Sequence, residues 1–122
     1  MEKTRVLVVD DEHDFTQVLR DRLAFEGFEV DVAYDGHAAI ERLKSFSPHI
    51  ILLDIMMPRM DGFAFLQRWR QEASAAATIV VVTAYGREPS ARELALLDGA
   101  PILRKPFDVE ALLEIIRKSV PA

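Results

Sequence analysis

The sequence contains no cysteine. That removes thiol catalysis, zinc-thiolate sites and a disulfide scaffold at once, and it fits a reducing compartment, so the expected location is the cytoplasm. Long apolar runs are missing as well: the longest purely aliphatic stretches, Val6–Val9, Ile50–Leu53 and Ile79–Val82, are four residues each. None could span a bilayer, and the polar start MEKTR does not read as a signal peptide, so no membrane partner is expected. With only 5 glycines there is no GxGxxG or Walker pattern, which argues against nucleotide binding. Clustered bases are also lacking. The 15 Lys and Arg against 20 Asp and Glu leave a net charge of -5, and direct nucleic-acid binding is not expected.

What is present suffices for a core, since hydrophobic residues make up 50% of the 122. At this size folding buries roughly 60–70% of the unfolded chain's surface. A second folded domain would need on the order of 50 further residues, so the sequence reads as one domain, 1–122. The acids are unevenly placed: residues 1–62 hold 13 acids and 7 bases, residues 63–122 hold 7 acids and 8 bases.

The three aliphatic runs are rich in β-branched residues or leucine and bounded by polar residues, which reads as strands buried on both faces. After Asp11, the residues Phe15, Val18, Leu19 and Leu23 recur at helical spacing, and Gly27 follows as a stop. Phe28, Val30 and Val32 alternate with Glu29 and Asp31, the period of a strand with one wet face at a sheet edge. Asp35 is expected to cap a helix over Ala38, Ala39, Ile40 and Leu43 that ends before Pro48. The alternation continues with a strand at Ile50–Leu53, a helix from Phe63 to about Glu72 carrying Leu66 and Trp69, and a strand at Thr78–Val82. A shorter helix follows from about Pro89 to Leu97, then a short strand at Pro101–Leu103. Asp108 caps a last helix bearing Val109, Leu112, Leu113, Ile115 and Ile116, with Phe107 placed to pack on Leu112. Five strands alternating with five helices imply right-handed crossovers and a doubly wound α/β domain on a parallel sheet.

In open parallel sheets, ligands bind beyond the carboxyl ends of the strands. At those ends stand Asp10, Asp11 and Glu12 after the first strand, Asp54 at the third, Thr83 at the fourth, and Arg104, Lys105 and Pro106 after the fifth. Only the edge strand ends without such a group, at Ala33 and Tyr34. Acids converging on one edge repel and resist ionisation unless a cation joins them, and Mg²⁺ is the simplest companion. Lys105 offers a point charge and Thr83 a hydroxyl for a phosphoryl group held there. A carboxylate can itself be the nucleophile in phosphoryl transfer, and Asp54, on an inner strand beside the acid pair, is the candidate for an aspartyl phosphate.

With these residues in this order, the sequence resembles the receiver domain of two-component response regulators over nearly its whole length. The resemblance rests on Asp10 with Asp11, the block DIMMPRMDG from Asp54 to Gly62, Thr83 with Ala84, and Lys105 with Pro106. No single dipeptide is diagnostic, and the signal lies in their joint placement after successive strands. It implies a flavodoxin-like fold of five parallel strands, order 2-1-3-4-5, with five helices. It also implies that Asp54 accepts a phosphoryl group from a histidine kinase, a histidine phosphotransfer domain or a small phosphodonor, and that the protein catalyses only its own phosphorylation and dephosphorylation. Mg²⁺, or Mn²⁺ in its place, would be bound directly by Asp11, Asp54 and the backbone carbonyl of Met56, with Asp10 acting largely through water. Thr83, the amide of Ala84 and Lys105 would hold the phosphoryl oxygens, and the Lys105–Pro106 peptide bond would be cis. Output would follow from a change at the face formed by the fourth helix, fifth strand and fifth helix, read by a downstream effector protein or domain, or by a second copy in a homodimer.

Two positions depart from similar domains or add to them. Ile102 stands three residues before the lysine, where an aromatic side chain often turns inward as the threonine moves, so the switch pair Thr83 and Ile102 lacks the ring. Tyr85 and Met56 are expected at the mouth of the site, shielding the acyl phosphate from water.

Blander roles stand beside these. A lone Asp10–Asp11 pair would more often cap the following helix, Asp54 could sit in a turn, Thr83 could be a cap and Lys105 an ordinary surface lysine. Their common phase favours the site, and Pro58 with Asp61 and Gly62 already supplies the turn. His13, His37 and His49 show no metal-ligand spacing and read as structural or exposed. A Mg²⁺-dependent phosphatase using the same aspartate would want a second acid two residues on, where Met56 stands, and a cap domain. The remaining alternative is a receiver-like interaction scaffold that is not switched by phosphorylation, which Ile102 favours and the intact acids, Thr83 and Lys105 oppose.

Overall fold

The computed structural model describes residues 3–55, 62–71, 77–84 and 99–119, together with residues 91, 95 and 97. The strands β1 (Arg5–Val9), β2 (Glu29–Ala33), β3 (Ile50–Asp54), β4 (Thr78–Ala84) and β5 (Ile102–Lys105) form one parallel sheet in the order β2-β1-β3-β4-β5. The continuous helices among the described residues are α1 (His13–Phe25), α2 (Gly36–Phe46), α3 (Gly62–Gln71) and α4 (Val109–Ser119). The helix predicted near 89–97 lies mostly outside the described residues, although Ala91, Ala95 and Leu97 are helical. The last predicted helix is therefore α4.

Successive side chains of a strand point to opposite faces, and this alternation sorts the core into two layers. Leu7 and Val9, Ile51 and Leu53, and Ile79 and Val81 pack with Ala39 of α2 and with Phe65, Leu66 and Trp69 of α3. Val6 and Val8, Ile50 and Leu52, and Val80 pack with Leu19 and Leu23 of α1 and with Leu112, Leu113 and Ile116 of α4. The inner strands are covered on both faces, which is why they read as unbroken aliphatic runs.

The helix ends follow from local chemistry. Asp35 accepts a hydrogen bond from the Ala38 amide at 2.8 Å and caps α2. Asp108 accepts from the Glu110 amide at 3.0 Å at the start of α4. Gly27 ends α1 at φ +97°, a left-handed conformation that glycine adopts without a side-chain penalty.

Three expectations need adjustment. Val18 has the spacing of the inner stripe of α1, yet it is 69% exposed. The row Phe15, Leu19, Leu23 turns toward the sheet, and Val18 sits about 100° round the helix from Leu19. The last strand runs Ile102–Lys105 rather than 101–103, because Pro101 has no amide to donate and only its carbonyl joins the ladder, accepting from Val81 at 2.8 Å. Lys105 is thus the final residue of β5 and not part of the loop. Phe107 joins the same core layer as Leu112, but the ring it meets belongs to Phe15.

Candidate functional site

The pairing of Val9 with Leu53 aligns the carboxyl ends of β1 and β3. Asp10, one residue beyond β1, and Asp54, the last residue of β3, therefore stand side by side. Both continue the parity of Val6 and Val8 and of Ile50 and Leu52, toward the layer of α1 and α4. Lys105 ends β5 in register with Ala84, and its long stem carries the ammonium across β4 to the acids.

That ammonium donates to Asp10 Oδ2 at 2.8 Å, Glu12 Oε1 at 2.7 Å and Asp54 Oδ2 at 3.2 Å. The Asp10 and Asp54 side chains are 3% and 5% exposed, against 59% for Glu12, so the floor of the site is dry and its rim is wet. Asp10 is further held by the Glu12 amide, which donates to its Oδ1 at 3.0 Å. The capping role does not hold for the acid pair: the residue at the start of α1 is Glu12, and it makes no side-chain capping bond.

Burial raises the Asp10 carboxyl to about 6, and the adjacent Asp54 pushes the same way, against the hydrogen bonds from Lys105 and the Glu12 amide. Burial also disfavours the Lys105 ammonium, but its hydrogen bonds to Asp10 and Glu12 prevail and hold it above the ordinary lysine range. Three carboxylates facing one ammonium leave the site short of positive charge.

One carboxylate oxygen from each of Asp10, Glu12 and Asp54 lies within 4.8 Å of the others. Hard oxygen donors gathered in this way are the kind that hold Mg²⁺. The structure brings together Asp10, Asp54 and Lys105, and with them Glu12. Asp11 is half-buried and is not part of that triplet. The signal for Glu12 was its place in the run Asp10 to Glu12; which acids face inward depends on the turn that the Asp10 to Glu12 hydrogen bond closes.

Thr83 is fully buried, and its hydroxyl has no hydrogen-bond partner among the described residues. A buried hydroxyl left in that state is costly, and it suits a group that gains an acceptor when a ligand arrives. Ala84 follows at the end of β4. Ile102 is half-buried against the layer of α2 and α3. The Lys105–Pro106 bond is cis. Met56 and Tyr85, expected as a metal ligand and at the site mouth, lie outside the described residues. Of the histidines, His13 stacks on Tyr34 with ring centroids 3.8 Å apart, His49 accepts from the Arg5 amide at 2.9 Å, and His37 is exposed. No helix among the described residues is long and apolar enough to cross a membrane.

Known proteins share this sequence pattern and this fold. The family model described as the response regulator receiver domain matches residues 6–117. Response regulator MprA of Mycobacterium ulcerans is 37% identical over 115 residues, covering 93% of this chain and 48% of that protein. The chain spans about half the length of such curated relatives. Among solved structures, chemotaxis protein CheY4 of Vibrio cholerae is 28% identical with a TM-score of 0.85, covering 98% of this chain and 100% of that one. Response regulator TrrA of Thermotoga maritima, solved in complex with Mg²⁺ and BeF, is 31% identical with a TM-score of 0.83, covering 96% and 99% of the two chains.

Proposed function

The chain belongs to the response regulator receiver domain family, and we propose on that premise that it is a phosphorylation switch in which Asp54 accepts a phosphoryl group from a histidine kinase or histidine phosphotransfer domain, with Mg²⁺ required. The observation that carries this reading is the Lys105 ammonium, 2.7–3.2 Å from three carboxylates of which Asp54 is one. A cation aimed at a buried aspartate on the carboxyl edge of the sheet is placed to follow charge onto an incoming phosphoryl group.

In the transfer, an Asp54 carboxylate oxygen attacks the phosphorus of a phosphohistidine. A P–O bond forms, the P–N bond breaks, and its electron pair returns to the imidazole nitrogen. Lys105 moves from the carboxylates to a phosphoryl oxygen, and the buried Thr83 hydroxyl and the Ala84 amide donate to the others. Asp10, Glu12 and Asp54 would hold Mg²⁺, and the family resemblance adds Asp11 and the Met56 carbonyl; the ion would supply charge neutralisation for the phosphoryl oxygens. Movement of Thr83 toward the phosphoryl group biases the face that includes β5 and α4, for reading by an effector or by a second copy. Tyr85 and Met56 shield the acyl phosphate from water, so Tyr85→Ala shortens its half-life; an unchanged half-life removes that role.

The test is intact mass after incubation with Mg²⁺ and acetyl phosphate. Wild type gains one phosphoryl group and Asp54→Asn gains none. No gain in either protein sinks the reading, and rapid turnover of unrelated phosphoesters points to a phosphatase instead.

A further inference from the structure

Lys105 reaches its carboxylates across the face of an aromatic ring. Its Nζ lies 4.5 Å from the centroid of Phe15 in α1, inside the range of about 6 Å over which a ring quadrupole attracts a cation. The Phe15 ring is itself held: Phe107 meets it edge-on, with centroids 5.8 Å apart and planes at 89°, an arrangement that aromatic quadrupoles favour. Phe107 stands two residues after Lys105, so the segment that presents the ammonium also pins the ring that receives it. Both rings are half-buried against the layer of α1 and α4.

The carboxylates attract an ammonium but do not fix where over the cluster it sits, because lysine is a flexible stem with freely rotating donors. They are also temporary partners, since a metal ion or a phosphoryl group changes what they bind. The ring is different: it carries no charge for which either would compete. We infer that Phe15, braced by Phe107, is a positioning residue for Lys105, keeping the ammonium over the site while its anionic partners change from carboxylates to phosphoryl oxygens. The kinetic consequence rests on the phosphorylation reading above; the placement of Lys105 on the ring does not.

A role confined to packing makes different predictions. Phe15→Leu and Phe15→Tyr, made in the full chain with and without Lys105→Met, separate the two. With acetyl phosphate and Mg²⁺, Phe15→Leu is expected to slow phosphorylation about fivefold, the size of one partly exposed cation-π contact. Phe15→Tyr restores most of the rate. In the Lys105→Met background, Phe15→Leu adds no further loss, because its effect passes through the ammonium. The Lys105 ε-methylene proton signals, displaced upfield by the ring current in wild type and Phe15→Tyr, return toward free-lysine positions in Phe15→Leu. Equal fractional losses in both backgrounds, or ε-methylene signals already at free-lysine positions in wild type, overturn the inference. The wild-type spectrum alone decides the placement should Phe15→Leu fail to fold. A wild type that takes no phosphoryl group refutes the phosphorylation reading but leaves the spectroscopic arm intact.

Discussion

Replacing Lys105 with methionine keeps most of the side chain's length and removes its charge, leaving Asp10 and Asp54 buried at 3% and 5% side-chain exposure without their shared cation. Breaking a buried ion pair by deleting one partner costs about 3–5 kcal/mol. Protonation sets a ceiling on the loss. Neutralising one aspartate at pH 7 against an unfolded value near 3.9 costs about 4 kcal/mol, and the site escapes by that route if repulsion grows larger. The expected loss at pH 7 is therefore about 3 kcal/mol, or a fall of about 2 M in urea midpoint for a domain whose m-value is about 1.5 kcal/mol/M. The pH dependence has a definite sign. With the lysine gone, the folded state binds a proton more tightly than the unfolded chain does, so the variant is most stable below about pH 4 and loses stability as the pH rises toward 7. In the wild type the Asp10 carboxyl is already raised to about 6, so part of this loss is shared and the gap between the two proteins narrows toward pH 4.5 without closing. Mg²⁺ should stabilise the variant more than the wild type, since there the ion has no ammonium to compete with for the carboxylates. Urea titrations at pH 4.5 and 7, with and without Mg²⁺, measure all of this. A loss below about 1 kcal/mol at pH 7, or an equal loss at both pH values, refutes the picture of two dry carboxylates held by one lysine.

Other perturbations read other parts of the site. Asp10→Asn keeps one acceptor, for the Glu12 amide, gives up the oxygen to which Lys105 donates, and removes a carboxyl raised to about 6 by burial. It should stabilise the Mg²⁺-free protein by about 1–2 kcal/mol at pH 7.5, an advantage that fades toward pH 4, while calorimetry shows weaker Mg²⁺ binding. Thr83→Val removes a buried hydroxyl that has no partner among the described residues. Thermal unfolding should show a gain of about 1 kcal/mol, and the phosphorylated protein should lose its difference from the unphosphorylated one in amide spectra of β5. Asp35→Ala deletes the acceptor for the Ala38 amide and should cost about 1 kcal/mol in urea unfolding without changing phosphorylation.

The fold was largely legible because its signals are local. Continuous aliphatic runs mark Val6–Val9, Ile50–Leu53 and Ile79–Val82 as covered on both faces, and alternation marks Glu29–Ala33 as an edge. Capping by Asp35 and Asp108 needs only a side chain and an amide two or three residues on. Orientation is harder to read from spacing. Val18 has the spacing of an inner residue but lies outside the row that meets the sheet, and Pro101 stands just before β5 because only its carbonyl can enter the ladder.

Local sequence settles the order of strands and helices and puts Asp10, Asp54, Thr83 and Lys105 at the carboxyl edge, because a strand's end and its side-chain parity are properties of a few adjacent residues. Which of those groups meet is a matter of packing in three dimensions. Lys105 and Asp10 are 95 residues apart in the chain and 2.8 Å apart in space. That closeness depends on the strand order, which sets β4 between β3 and β5, and on a stem long enough to cross it. The inclusion of Glu12, the dry surroundings of the Thr83 hydroxyl and the Phe15 ring beneath the ammonium depend in the same way on how helices pack over strand ends. Distances of that kind have no periodic trace in a sequence, since they are set by the packing of elements and not by neighbours along the chain.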